Sequence, residues 1–152
     1  MVKADEKATD ANRAIHIAAV NGHTVGCYSG VVQALIEFDK KMSNAANNFG
    51  TTPLHLAVYA GKTATAAFLL KHGASPNACD RAKVTPIHNA VARGSHDLFW
   101  LLIAYGARCD ILDKEGETLT DWARCFKRRE MEEPIACALA QARKQAAAAF
   151  SV

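Results

Sequence analysis

The sequence predicts an all-α solenoid, a line of stacked helix-turn-helix units joined by short polar connections. The first observation is a phrase that returns: Thr52 begins Thr-Pro-Leu-His-Leu-Ala, and Thr85, 33 residues later, begins Thr-Pro-Ile-His-Asn-Ala. The second is that Gly61 and Gly94 each stand nine residues after the start of their phrase. A repeat of about 20–50 residues is typical of stacked arrays, because each unit can bury its apolar face only against a neighbour.

Two weaker copies of the phrase flank the strong ones. Thr118 begins the later copy, Thr-Leu-Thr-Asp-Trp-Ala, again after 33 residues. Arg13 begins the earlier copy, Arg-Ala-Ile-His-Ile-Ala, 39 residues before Thr52, and Gly22 stands nine residues after it. The six extra residues fall in the region 24–30, between the two helices predicted for that unit. The sequence therefore predicts one domain, 1–152, with units at about 12–46, 47–79, 80–112 and 113–150, the first carrying an insertion and the last acting as a cap.

Each phrase has the chemistry of a helix start. Pro53 and Pro86 suit the first helical position, where φ is fixed favourably and the missing N–H is not needed, and each follows a Thr, a preferred N-cap residue. The glycine nine residues into each unit suits the left-handed conformation that ends a helix. Gly73 and Gly106 follow apolar runs and predict the end of a second helix in the same way.

With the Thr-Pro-Leu-His-x-Ala phrase, the mid-unit glycine, the Leu69-Leu70 pair and the Gly73-Ala74 exit, the chain resembles the ankyrin-repeat family over about residues 10–140. The resemblance implies that connections such as 79–84 and 112–117 form hairpin-like finger loops, which frame a groove with the first helices. It also implies that the histidine of the phrase hydrogen-bonds the helix start and ties neighbouring units together. These histidines are His16, His55 and His88.

The resemblance also implies where a partner binds, because the shared residues build the stack and the variable ones select the ligand. In this family the contacts come from the fingers and from the two residues before the mid-unit glycine. Tyr59, Arg81, Arg93 and Phe126 are the best predicted anchors, since aromatic and arginine side chains are enriched among residues that dominate binding energy. The predicted partner-binding residues are Asn21, Asn47, Asn48, Thr51, Tyr59, Arg81, Ala82, Val84, Arg93, Lys114, Glu115, Glu117 and Phe126, with Val20, Ala60, Ala92 and Cys125 beside them.

Three departures from the repeat pattern predict local differences. Lys83 stands where two other fingers carry glycine, which predicts that this finger is either distorted or strained by a positive φ. In the last unit Lys127 replaces the mid-unit glycine, and a closing helix is predicted to start near Pro134. In the insertion of the first unit, Tyr28 offers a second contact site and Cys27 an exposed thiol, although a tolerated surface loop explains the same residues. The predicted apolar face of the closing helix consists of Ile135, Leu139, Ala142 and Ala146.

Composition excludes several other classes of protein. At 152 residues and 50% hydrophobic, the chain can form one stable domain, and a net charge of +3 does not predict a polyanion partner. The N-terminus lacks the apolar segment of a signal peptide, and the longest apolar run, 98–105, is far shorter than the roughly 18 residues of a membrane span. Five cysteines without close pairs argue against a disulfide framework or a zinc site. We expect Cys79 and Cys109 to be small fillers of the exit turns.

The expected function is therefore a non-catalytic interaction module that binds a protein partner as an adaptor, assembly factor or inhibitor. We expect no catalytic residue, no cofactor, no metal and no small-molecule substrate, and a monomer located in the cytoplasm or nucleus. An inhibitor of a protein kinase or of a transcription factor stays open within this architecture, since short members of the family include such proteins. A thiol or metal enzyme built on Cys27 and His23, and a nucleic-acid binder, are the alternatives from other classes.

Overall fold

The computed structural model describes residues 14–21, 34, 36–37 and 39–149, and these form helices and turns with no strand among them. Residues 14–21 form α1, and residues 34, 36 and 37 are also helical. No helix in these ranges is long and apolar enough to cross a membrane. The remaining elements are a 3-10 helix (Lys40–Asn44), α2 (Pro53–Tyr59), α3 (Thr63–Lys71), α4 (Pro86–Arg93), α5 (His96–Ala104), α6 (Leu119–Cys125), a second 3-10 helix (Arg129–Met131) and α7 (Glu132–Ala149).

Helices α2, α4 and α6 begin where the repeated phrase predicts. Their N-caps are Thr52, Thr85 and Thr118, each with an extended backbone and each part of a capping box. In a capping box the N-cap side chain and the side chain three residues later each accept a hydrogen bond from the other residue's backbone, so two unpaired N–H groups find acceptors. Helices of seven or eight residues are marginal on their own, and these caps help to define their starts.

Positive φ angles stand where the repeat pattern requires them, including two non-glycine positions. Gly61 and Gly94, which follow α2 and α4, have φ of 74° and 73°. Lys127 holds the equivalent position after α6 with φ of 57°, and Lys83 has the same φ in its connection. Of the two outcomes predicted for Lys83, a distorted finger or a strained positive φ, the structure has the positive φ. Both lysines therefore occupy a conformation that costs free energy for any residue with a Cβ.

The helices form two layers. One contains α2, α4 and α6, in which α4 packs between the other two, and the second layer pairs α3 with α5. Within the ranges 47–79, 80–112 and 113–150 the two helices also pack on each other, α2 on α3, α4 on α5 and α6 on α7. The core lies between the layers, where Leu54, Leu69, Ile87, Phe99 and Leu102 are fully buried. The outer sides of the first layer and its connections remain available to solvent.

The closing helix begins where predicted but differs from its prediction in its second half. It begins at Glu132, two residues before Pro134, and it buries Ile135 and Ala138, with Leu139 partly buried. The predicted face was wrong beyond this point, because Ala142 and Ala146 are exposed. The physical reason is that the turn after α5 stands away from this part of α7. An open groove of about 580 Å³ lies between them. It is lined by residues 106–110 on one side and by several residues of 138–146 on the other.

Candidate binding surface

Three tight turns precede α2, α4 and α6, and each is organised by one side chain. In residues 47–51 (finger 1), the Oδ1 of Asn47 accepts hydrogen bonds from the N–H groups of residues 49 and 51, at 2.9 and 3.0 Å. Asp80 does the same in residues 80–84 (finger 2), at 2.8 and 2.9 Å. Asp113 does so in residues 113–117 (finger 3), at 2.9 Å for both. The short acceptor side chain thus fixes each finger in an Asx-type turn.

Backbone hydrogen bonds join neighbouring fingers. The N–H of Arg81 donates to the carbonyl of Phe49 at 3.1 Å, and the N–H of Lys114 donates to the carbonyl of Ala82 at 2.8 Å. A Cβ placed on Gly50 would lie 3.1 Å from the Cα of Asp80, so fingers 1 and 2 are in close backbone contact. The tips of the three fingers consequently stand in a fixed row.

Histidines of the repeated phrase connect units through the same fingers. The Nε2 of His16 lies 2.9 Å from the carbonyl of Thr51, and the Nε2 of His55 lies 2.9 Å from the carbonyl of Val84. A carbonyl only accepts, so Nε2 carries the proton. In His55 the other ring nitrogen, Nδ1, accepts from the N–H of Thr52 at 3.2 Å. The predicted tie to the neighbouring unit is confirmed for His16 and His55, and the predicted contact with the helix start is confirmed for His55. Burial lowers the pKa of His55, against a smaller opposing contribution from the Val84 carbonyl.

His88 makes only half of this arrangement. Its Nδ1 accepts from the N–H of Thr85 at 3.2 Å, but its Nε2 is buried and has no hydrogen-bond partner in the described part of the chain. The predicted contact with the helix start is therefore confirmed for His88, but the predicted hydrogen bond to a described residue of the next unit is not formed. Trp122 stands edge-on to the His88 ring, 5.1 Å away, and its Nε1–H donates to the Oδ2 of Asp113 at 2.8 Å. Burial lowers the pKa of His88, and the Asp113 carboxylate opposes that effect.

Most of the predicted partner-binding residues are accessible. The exposed ones are Asn21, Asn48, Tyr59, Arg81, Ala82, Arg93, Lys114, Glu115 and Phe126, and the partly buried ones are Asn47, Thr51, Val84 and Glu117. The partly buried residues are all in fingers and some have intramolecular partners, since the side chain of Asn47 organises its turn and the carbonyls of Thr51 and Val84 accept from histidines. Among the four flanking positions, Val20 and Cys125 are exposed, whereas Ala60 and Ala92 are partly buried.

Two exposed apolar residues belong to the same surface and were missed by the sequence analysis. Phe49, at the tip of finger 1, is 72% exposed, and Ile17, on α1, is 55% exposed. The signal for Phe49 was present in the sequence, because an aromatic residue stands directly before the finger glycine. The signal for Ile17 was also present, as it fills the variable position after the histidine of the phrase. Together with Val20, Tyr59 and Phe126 they give this surface five exposed large apolar side chains.

Comparison with protein families agrees with this architecture. Residues 2–80 match the family described as ankyrin repeats (3 copies). The chain belongs to the ankyrin-repeat family. Ankyrin repeats generally mediate protein–protein interactions, and the family is typically non-catalytic. The second full copy of the phrase, at Thr85, lies beyond the matched range, yet it begins α4 with the same cap as α2.

The fold also shows where most of the cysteines lie and whether metal-ligating side chains come together. Cys109 is buried, which raises the pKa of its thiol to about 11, whereas Cys79, Cys125 and Cys137 are exposed. The prediction that Cys79 fills the exit turn was therefore wrong, since its side chain faces solvent beside the Asn77 carbonyl. No group of three metal-ligating side chains occurs among residues 14–21, 34, 36–37 and 39–149. His23, Cys27 and Tyr28 lie outside the described residues.

Proposed function

We propose that this ankyrin-repeat protein is a non-catalytic module that binds a protein partner along its fingers and the outer sides of its first-layer helices. In this proposal it acts as an adaptor, an assembly factor or a competitive inhibitor, by occupying a surface of the partner rather than by changing it chemically. The residues that hold the stack together are buried, so the variable exposed residues are the ones available to select that partner.

One observation carries the proposal: five large apolar side chains are exposed on α1, finger 1 and the C-terminal ends of α2 and α6. Val20 is 39% exposed, and the four most exposed are Ile17, Phe49, Tyr59 and Phe126. Their exposed fractions are 55% for Ile17, 72% for Phe49, 69% for Tyr59 and 51% for Phe126. Large apolar side chains kept in water cost free energy, and a partner that covers them removes this cost. Aromatic residues also dominate the energetics of most protein interfaces.

The test compares two tyrosines of similar chemistry. Tyr59 is the last residue of the first-layer helix α2. Tyr105 is the C-cap residue of the second-layer helix α5, and 45% of its surface is exposed. The wild type, Phe49→Ala plus Tyr59→Ala, and Tyr105→Ala are used to capture partners from the source cell at physiological salt. We expect the double variant to lose a specific protein that both other baits recover. Equal recovery by all three baits would overturn the proposed surface.

A further inference from the structure

The tips of the fingers form a continuous row whose chemistry changes along the stack. We define the finger-tip row as Phe49, Arg81, Ala82, Lys83 and Lys114. Backbone hydrogen bonds from Arg81 to Phe49 and from Lys114 to Ala82 hold its parts in register. All five residues are exposed. A ligand lying along this row would meet a preformed surface, which reduces the entropy lost on binding.

Charge is concentrated in the middle of the row. Finger 1 contains no ionisable residue and presents the Phe49 ring. Finger 2 presents Arg81 and Lys83, and neither forms an ion pair with a described residue. The two ion pairs found among those residues are Arg108–Asp110 and Arg124–Glu132, both outside the fingers.

The carboxylates near the finger tips neutralise the positive charge of finger 2 less than that of finger 3. In finger 2, one oxygen of Asp80 is turned inward, where it accepts from the N–H groups of Ala82 and Val84. In finger 3, Lys114 is followed by Glu115 and Glu117, so the charge there is mixed. Arg81 and Lys83 therefore give this part of the row a net positive charge, which favours an anionic partner.

We propose that the finger-tip row recognises an acidic protein segment, in which a large apolar side chain lies on Phe49 and carboxylates face Arg81 and Lys83. This inference rests on the proposed function and specifies the partner's chemistry. The backbone of Arg81 is hydrogen-bonded to that of Phe49, backbones joined in this way lie about 5 Å apart, and an extended chain advances about 3.3 Å per residue. The carboxylates consequently lie within about three positions of the apolar residue, on either side.

A nucleic acid fits the row less well than a protein segment. Single-strand binders alternate several aromatic platforms with a positive groove that follows the phosphates. Here one aromatic residue, Phe49, is followed by the two cations of finger 2. In finger 3, Glu115 and Glu117 add negative charge near the third cation, Lys114. A phosphate backbone continuing along the row would meet those carboxylates. A segment with carboxylates at limited positions matches this pattern.

The experiment selects ligands from a random peptide display library on the full-length protein at physiological salt. We expect the selected peptides to share an aromatic or large aliphatic residue with Asp or Glu within about three positions of it. A consensus peptide should bind Arg81→Glu plus Lys83→Glu about tenfold more weakly, because two exposed charge pairs contribute about 1.4 kcal/mol together. Selection on that double variant should favour Lys or Arg at the same positions.

The matched control is Arg143→Glu plus Lys144→Glu, which changes the net charge equally on exposed positions of α7. This variant should select and bind the acidic consensus like the wild type. Any one of these results would overturn the inference: a consensus without acidic residues, an unchanged consensus on the Arg81 and Lys83 variant, or tight salt-dependent retention of single-stranded DNA. Loss of the cellular partner in the Phe49 and Tyr59 variant, but not in the Arg81 and Lys83 variant, would defeat this inference and leave the proposed function standing.

Discussion

The guanidinium of Arg93 donates a hydrogen bond from Nη1 to the backbone carbonyl of Tyr59, at 3.0 Å. That carbonyl lies at the C-terminus of α2, where acceptors lack intrahelical partners and a positive charge is favoured. Arg128 repeats the contact in the next unit, since its Nε donates to the carbonyl of Ala92 at 3.2 Å. An arginine from one unit thus caps the first helix of the preceding unit, in addition to any contact with a partner.

The first prediction concerns Gly61, which lies beneath Arg93. A Cβ at this position would overlap the Arg93 guanidinium, whereas a Cβ at Gly73 would meet nothing within 4 Å, and both glycines have positive φ. Gly73→Ala should cost about 1–2 kcal/mol of unfolding free energy, from the left-handed conformation alone. Gly61→Ala should cost about 1 kcal/mol more, because the arginine must also give up its hydrogen bond. Urea denaturation of the two variants measures the difference.

A double-mutant cycle supplies the control for this prediction. In an Arg93→Ala background the side chain that obstructs the new methyl group is gone, so Gly61→Ala and Gly73→Ala should become similar in cost. If Gly61→Ala stays more costly by the same margin in that background, the contact with Arg93 is not the cause.

The second prediction concerns the two lysines with φ of 57°, Lys83 and Lys127. Replacing either with glycine removes the steric cost of this conformation, while it adds entropy to the unfolded chain. The net gain should be about 0.5–1 kcal/mol for each, which corresponds to a rise in Tm of about 1–4 °C. Calorimetry of Lys83→Gly and Lys127→Gly tests this, with Lys83→Ala and Lys127→Ala as controls that should gain nothing. A drop in Tm for both glycine variants would show that the lysine side chains stabilise the fold.

The sequence was sufficient to predict those features that depend on neighbours along the chain. The Thr52 and Thr85 caps and the proline positions each follow from local backbone chemistry, and each is confirmed. The positive φ at Lys83 is one of the two outcomes predicted there on the same grounds. The contact between Arg93 and Tyr59 could not be predicted in this way, because its partners are 34 residues apart.

The errors have the same physical origin. The unpaired Nε2 of His88 depends on how Trp122 packs in the next unit, and the phrase containing His88 carries no information about that packing. The exposure of Ala142 and Ala146 depends on where the turn after α5 lies, although helical periodicity places both residues on the face of Ile135. Which predicted surface residues contact a partner stays a prediction.

The third prediction compares Asp80 and Asp113, which organise fingers 2 and 3 through the same pair of hydrogen bonds. Asp113 has an additional partner, because its Oδ2 accepts from the indole N–H of Trp122. Asparagine can replace the turn acceptor, as Asn47 shows in finger 1. Asp80→Asn should therefore change Tm little. Asp113→Asn should lower it by about 4 °C or more, because an amide NH₂ would face the indole N–H.

Trp122→Phe provides the control for this comparison. It keeps an aromatic ring and removes the indole donor, so the cost of adding Asp113→Asn to it should be much smaller than in the wild type. Equal losses of Tm for Asp80→Asn and Asp113→Asn would contradict a separate contribution from the Trp122 contact.

The fourth prediction concerns pH and two of the buried histidines, His55 and His88. Burial lowers the pKa of both rings in the folded protein, so the unfolded chain binds protons more readily as the pH falls below about 6.5. The contribution of these two neutral histidines to the free energy of unfolding is therefore fully present above that pH, and it is lost as the pH falls toward the lower folded-state pKa values. In His55 a second ring proton would also face the N–H of Thr52, since Nδ1 is the acceptor of that bond.

The measurement is the urea concentration at which half of the protein is unfolded, taken at several pH values from 8 to 5, for the wild type, His55→Gln and His88→Gln. We expect the wild-type midpoint to fall across this range, and each variant to start from a lower midpoint at pH 8 but lose less on acidification. The comparison of slopes separates proton linkage from the general cost of each substitution, because a purely structural loss shifts the midpoint equally at every pH. Parallel curves for all three proteins would show that neither histidine is responsible for the acid sensitivity.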